Sequence, residues 1–137
     1  MIYTGYYAKL NKYNEAGIEP MAISGKVPDF YEGFCYPDFA PRYEMFQRWK
    51  NKEITNEGYV EEYKAYLESL DKSEIRFDFK EYTVEGNDIV LLCYEKSGEF
   101  CHRHVLADWL EENFGWKIDE YYIGGDKNDN RNRAQSI

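Results

Sequence analysis

Five residues capable of polar chemistry crowd one stretch of this chain: Cys93, Cys101, His102, Arg103 and His104, with Glu95 between the two cysteines. Both histidines of the sequence lie within three residues of Cys101. A thiol beside an imidazole is what nucleophilic cysteine chemistry uses, because the imidazole takes the thiol proton and the thiolate attacks. A helix N-terminus and a neighbouring cation favour the thiolate further. Arg103 brings such a cation, with a fork that fits a carboxylate or phosphate. Read as chemistry, Cys101 or Cys93 is a nucleophile or redox thiol, His102 the base or acid, and Arg103 an anion clamp. Glu95 would orient the histidine or the substrate.

Each residue also has a plainer reading. Cys93 closes an apolar run and suits a buried small hydrophobe. If residues 102–104 are helical, one of His102 and His104 points away from any common site. Arg103 has Glu99 and Asp108 within reach as ion-pair partners. Two cysteines and two histidines would suit zinc, but no Cys-x-x-Cys knuckle is present. The histidines would also project about 200° apart on a helix, so no metal is expected. A Cys93–Cys101 disulfide fits the spacing but is not a permanent feature of a reducing compartment. A reversible one would make the pair a redox sensor.

The elements that must position these residues follow from pattern. Ile2-Tyr3-Thr4 is a β-prone run ending at Gly5, and residues 7–16 form a helix closed by Gly17. A second strand covers Pro20 to Ser24. Residues 26–41, with five aromatics and three prolines, form a long ordered loop. One helix runs from Pro41 to about Asn51, and another, capped by Thr55 or Asn56, buries Tyr59, Tyr63, Tyr66, Leu67 and Leu70. A further helix is expected over 73–83, against a β-prone mix around Ile75, Phe77 and Phe79. Ile89 to Cys93 is apolar on both faces, as in a buried parallel strand. Val105, Leu106, Trp109, Leu110 and Phe114 mark one face of a helix ending at Gly115, and 116–123 is a last strand.

Strands alternating with helices imply an α/β fold, a small Rossmann-like, mostly parallel sheet in one domain over 1–123. Residues 124–137 read as a polar tail. In open parallel sheets ligands bind beyond the carboxyl ends of the strands. Gly5-Tyr6, Ser24-Gly25-Lys26 and Cys93-Tyr94-Glu95 would share that edge, facing the N-terminus of the helix that starts near Cys101, a place that favours anions. The ligand-binding set is therefore Gly5, Tyr6, Ser24, Lys26, Glu95 and His104. The expected ligand is an anionic small molecule such as a nucleotide derivative. Phosphate loops, dinucleotide fingerprints and serine elbows are absent, so no cofactor is named.

Charge bounds the partners. The 137 residues carry a net −9, with 18 acids against 7 bases over 53–120. Such a chain is repelled by nucleic-acid backbones. No membrane span or signal peptide is read, and three cysteines without an export signal point to the cytoplasm. The rival reading is an acidic interaction protein that docks on a basic partner, as a DNA mimic or inhibitor would.

The run Ile89-Val90-Leu91-Leu92-Cys93-Tyr94-Glu95, then Phe100-Cys101-His102-Arg103-His104-Val105-Leu106-Ala107, resembles the domain-of-unknown-function family 488. Its members close an apolar strand on Cys-x-Glu and open a helix with Cys-His-Arg. They also begin with a short strand ending in glycine, similar to Ile2-Tyr3-Thr4-Gly5-Tyr6. The resemblance covers the two ends, some 40 to 50 residues, better than the middle. It implies a compact α/β domain and assigns no activity. One departure is Ser24-Gly25-Lys26, where the family carries Asp-x-Arg, with Lys26 as a partial stand-in.

Overall fold

The computed structural model describes residues 1–83, 86–95 and 100–122. Five strands, β1 (Ile2–Tyr6), β2 (Glu19–Ala22), β3 (Phe34–Cys35), β4 (Ile89–Cys93) and β5 (Ile118–Glu120), form one sheet in the order β3-β2-β4-β1-β5. Every pairing is parallel. Five helices flank it: α1 (Leu10–Glu15), α2 (Tyr43–Lys50), α3 (Asn56–Glu68), α4 (Lys72–Thr83) and α5 (His102–Phe114). This is the small Rossmann-like α/β fold that the alternation of elements implies. The expected tail lies outside the described residues.

β4 is central because its sequence can be buried on both faces. All five of its residues are buried, between β1 on one side and β2 on the other. Side-chain alternation sends Ile89 and Leu91 into the larger core, with Ile2, Met21, Tyr63, Leu106 and Ile118. Val90 and Leu92 enter a smaller core on the opposite face, with Tyr7, Leu10, Tyr13 and Tyr31. Four helices cover the first face. Among the described residues α1 and a layer of tyrosines cover the second, and Gly5 makes that layer possible: a Cβ there would lie 2.3 Å from the Tyr13 hydroxyl oxygen.

Local signals set the element ends. Thr55 caps α3 by accepting from the Gly58 N–H at 3.0 Å. Gly17 and Gly115 end α1 and α5 at φ of 74° and 72°, a conformation that favours glycine. Four boundaries differ from expectation. The first helix opens as a 3₁₀ turn over Tyr7–Lys9. The second strand is shifted, closing at Ala22 rather than Ser24. The 26–41 loop contains β3 and a 3₁₀ turn at Pro37–Phe39, anchored by buried Tyr36 and Phe39. The last strand has three residues, parallel to β1 with Ile2 beside Ile118. The β-prone 73–83 stretch is helical, because Ile75 and Phe79 are buried one turn apart while Phe77 faces solvent.

The chain leaves β1 towards β2 on one side of the sheet centre and leaves β4 towards β5 on the other. Both crossovers start from the carboxyl ends of adjacent strands, β1 and β4. Tyr6 and Cys93 are register partners at that point.

Candidate functional site

Cys93 ends β4 and Cys101 is the N-cap of α5. Their sulfurs are joined in a disulfide, at 1% and 3% exposure. Cys35 is a free, exposed cysteine on the edge strand β3.

His102, the first residue of α5, lies under the site against the edge of the Tyr63 ring. Its Nε2 is 2.8 Å from the Ile23 carbonyl oxygen, which can only accept, so Nε2 carries the proton. The lone pair of neutral imidazole is therefore on Nδ1, which is 3.9 Å from Cys101 Sγ. Burial, helped by the Arg103 charge and opposed by the hydrogen bond to Ile23, holds the His102 pKa down at about 4. At neutral pH this ring is an uncharged acceptor aimed at a sulfur.

Arg103 is completely buried, and its fork is occupied. Nε and Nη2 donate to the two carboxylate oxygens of Glu120 at 3.1 and 2.7 Å. Nη1 donates to Cys93 Sγ at 3.0 Å and to the Glu95 carbonyl oxygen. The Thr4 hydroxyl donates to the same Glu120 carboxylate at 2.5 Å, and the Tyr6 ring covers the guanidinium at 5.8 Å. Burying a charge costs several kcal/mol unless a partner and hydrogen bonds compensate it, and here both are present. The role that follows is to hold the β4 end, the β5 acid and a sulfur together.

The other expected site residues divide. Gly5 is buried beneath Tyr13, and the Tyr6 N–H donates to the Tyr13 hydroxyl at 3.2 Å. The Ser24 hydroxyl donates to the Lys26 carbonyl, so the Tyr7 O–H donates to Ser24 at 2.6 Å. Ser24 thus shapes the turn after β2, and burial pushes the Tyr7 hydroxyl up to about 12. Lys26 is exposed, and His104 is buried further along α5. Glu95 gives its carbonyl to Arg103, while its side chain lines a cleft beside Trp49 and Asn56. Glu99, one partner considered for Arg103, lies outside the described residues.

Sequence reasoning missed Glu120, Thr4 and the Ile23 carbonyl. A signal for Glu120 existed, since it stands two residues after Ile118 on the same strand face and an inward acid requires a cation. The carbonyl of Ile23 carries no sequence signal, because any residue supplies one.

Cys93, Cys101 and His102 place three potential metal-ligand atoms within 4.8 Å of one another. Disulfide sulfurs lack the thiolate charge that holds zinc. In the dithiol form the set would offer two sulfurs and Nδ1, with Ile23 steadying the opposite ring nitrogen.

The acids of the 53–120 segment are partly committed. Glu62 pairs with Arg48, Glu68 with Lys72 and the Trp109 N–H, and Glu120 with Arg103. Among the described residues no helix is long and apolar enough to cross a membrane. The family model described as "DUF488-N3a: Active DUF488-N3 subclade" matches residues 18–114. That span includes the middle of the chain and the Cys93 to Arg103 motif, and leaves out β1 and β5. No curated protein and no solved structure matches the chain.

Proposed function

The chain belongs to the DUF488 family, and on that premise we propose that the Cys93–Cys101 pair is its working centre, performing two-electron thiol–disulfide chemistry. The observation that carries this reading is the pairing of each sulfur with its own polar partner, Arg103 for Cys93 and His102 Nδ1 for Cys101.

The division of labour follows from charge. An incoming thiolate attacks Cys101 Sγ, because the sulfur that then leaves is Cys93, the one beside Arg103. The sulfur–sulfur bond breaks, and its electron pair leaves on Cys93 as a thiolate beside the Arg103 guanidinium. A leaving thiol of low pKa departs faster, and a cation 3.0 Å away favours that outcome. The second thiol of a dithiol reductant then attacks the mixed disulfide at the reductant's own sulfur and releases Cys101. The reductant ends as a disulfide and the protein as two thiols, with two electrons and two protons transferred. His102 Nδ1 accepts the hydrogen bond from the Cys101 S–H. Arg103 is not an anion clamp in this reading, because Glu120, Cys93 and the Glu95 carbonyl already take up its donors.

Mass spectrometry after alkylation tests this. Before reduction only Cys35 should react. After a dithiol reductant all three cysteines should, with Cys93 showing an apparent pKa below the free value of about 8.5. Alkylation of Cys93 and Cys101 in protein never exposed to reductant would count against the disulfide. An ordinary Cys93 pKa would count against the role given to Arg103.

A further inference from the structure

A cleft of about 630 Å³ is lined, among others, by Phe46, Trp49, Lys50, Lys52, Asn56 and Glu95, of which Glu95 lies two residues past the end of β4. Its ring wall is Phe46 and Trp49, with centroids 6.0 Å apart, backed by Phe100 against Trp49 at 5.4 Å. The Trp49 N–H donates to the Asn56 side-chain oxygen at 2.8 Å, which fixes the indole. Among the described residues neither Lys50 nor Lys52 has an ion-pair partner, and Lys50 Nζ stands 5.7 Å from the Phe46 ring centre. Arg48, one turn away, is by contrast held by Glu44 and Glu62. Two cations without an ion pair among the described residues share this cleft with the Glu95 carboxylate, in a chain of net charge −9.

Backbone geometry is the second, independent observation. Lys52 has φ of 63°, the one positive value on a non-glycine residue among the described residues. It ends α2: the Lys52 N–H donates to Trp49 and the Glu53 N–H to Arg48, closing the helix in a loop whose left-handed residue is ordinarily glycine. Gly17 and Gly115 fill the corresponding places in α1 and α5. At Lys52 a side chain stands where its absence would relax the backbone, and it lines the cleft. Strain of this kind persists where the residue serves something other than stability.

We propose that this cleft binds a nucleoside phosphate, with the base on the Trp49 and Phe46 rings and the phosphate on Lys50 and Lys52. Aromatic faces accept any base by stacking, and ammonium groups act as point charges for phosphate. A cleft of this size falls in the range of small-molecule sites. The proposal does not depend on the thiol chemistry of Cys93 and Cys101, none of whose residues it uses.

The test is calorimetric titration of the full chain with adenosine monophosphate, inorganic phosphate and adenosine, on the native sequence, Lys52→Gly and Lys50→Gln. The nucleotide should bind the native protein more tightly than either fragment. Lys52→Gly should weaken nucleotide binding about tenfold or more, the loss of one charged hydrogen bond, while its melting temperature rises by a few degrees. A more stable variant that binds less well cannot be explained by misfolding. No heat with the nucleotide, or unchanged affinity in both lysine variants, overturns the proposal. Phosphate binding as tightly as the nucleotide overturns the role of the rings.

Discussion

Two cationic regions of this protein treat charge in opposite ways. Arg103 has no exposed surface and spends its fork on Glu120, a backbone carbonyl and a sulfur. Lys50 and Lys52 line an open cleft with no ion pair among the described residues, one of them in a conformation that suits glycine. A buried charge must be satisfied by the protein itself, because water is excluded and desolvation is costly. An open charge is satisfied by water and remains free to exchange that water for a ligand. The fully buried cation is thus a positioning group for the cysteines, and the open pair is the place for an anion to arrive.

The sharpest way to break that contrast is Glu120→Gln. It removes the carboxylate and leaves the Arg103 charge buried, so unfolding free energy should fall by about 3–5 kcal/mol in denaturant titration. A loss under about 1 kcal/mol would mean that Arg103 reaches solvent after all. The same variant should render Cys93 more acidic, since the guanidinium then has one fewer anion to share.

Next in size is the pH dependence set by His102. Its folded pKa of about 4 lies below its ordinary 6.5, so the unfolded chain binds the extra proton between those values. Stability from this group is present above about pH 6.5 and is lost as pH falls towards 4, on the order of 3 kcal/mol in all. Melting curves across that window should show the slope, and His102→Gln should flatten it. An unchanged slope in the variant would place the titrating group elsewhere.

Reducing the disulfide removes a cross-link over a separation of 8 residues, which loop entropy values at about 2–3 kcal/mol. Denaturation with and without a dithiol reductant reads this directly, and a Cys93→Ser, Cys101→Ser double variant should match the reduced protein. The smallest effect has the opposite sign: Lys52→Gly should stabilise by about 1 kcal/mol. A destabilised Lys52→Gly would show that the lysine holds the α2–α3 turn rather than waiting for a ligand.

Legibility in the sequence tracked how local the cause was. The buried strand Ile89–Cys93, the α5 start at Cys101, and the glycine stops at Gly17 and Gly115 all rest on residues close in the chain, and all stand where pattern puts them. The grouping of Tyr6, Ser24 and Cys93 at one sheet edge followed from a general rule of parallel sheets. Reading Arg103 as an anion clamp, by contrast, assumed an open fork. Its partner is 17 residues away on another strand.

By itself, the sequence determined the α/β class, a central two-faced strand, and the meeting of two cysteines, a histidine and an arginine at its end. Hydrophobic period and turn chemistry act over a few residues, so a one-dimensional pattern carries them. Only the tertiary structure decided which of those groups face one another. The β5 register delivers Glu120 to Arg103, the chain after β2 delivers the Ile23 carbonyl that fixes the His102 proton, and helix packing leaves Lys50 and Lys52 open. Those outcomes depend on desolvation and on contacts between distant segments, which take their values only once the sheet has assembled.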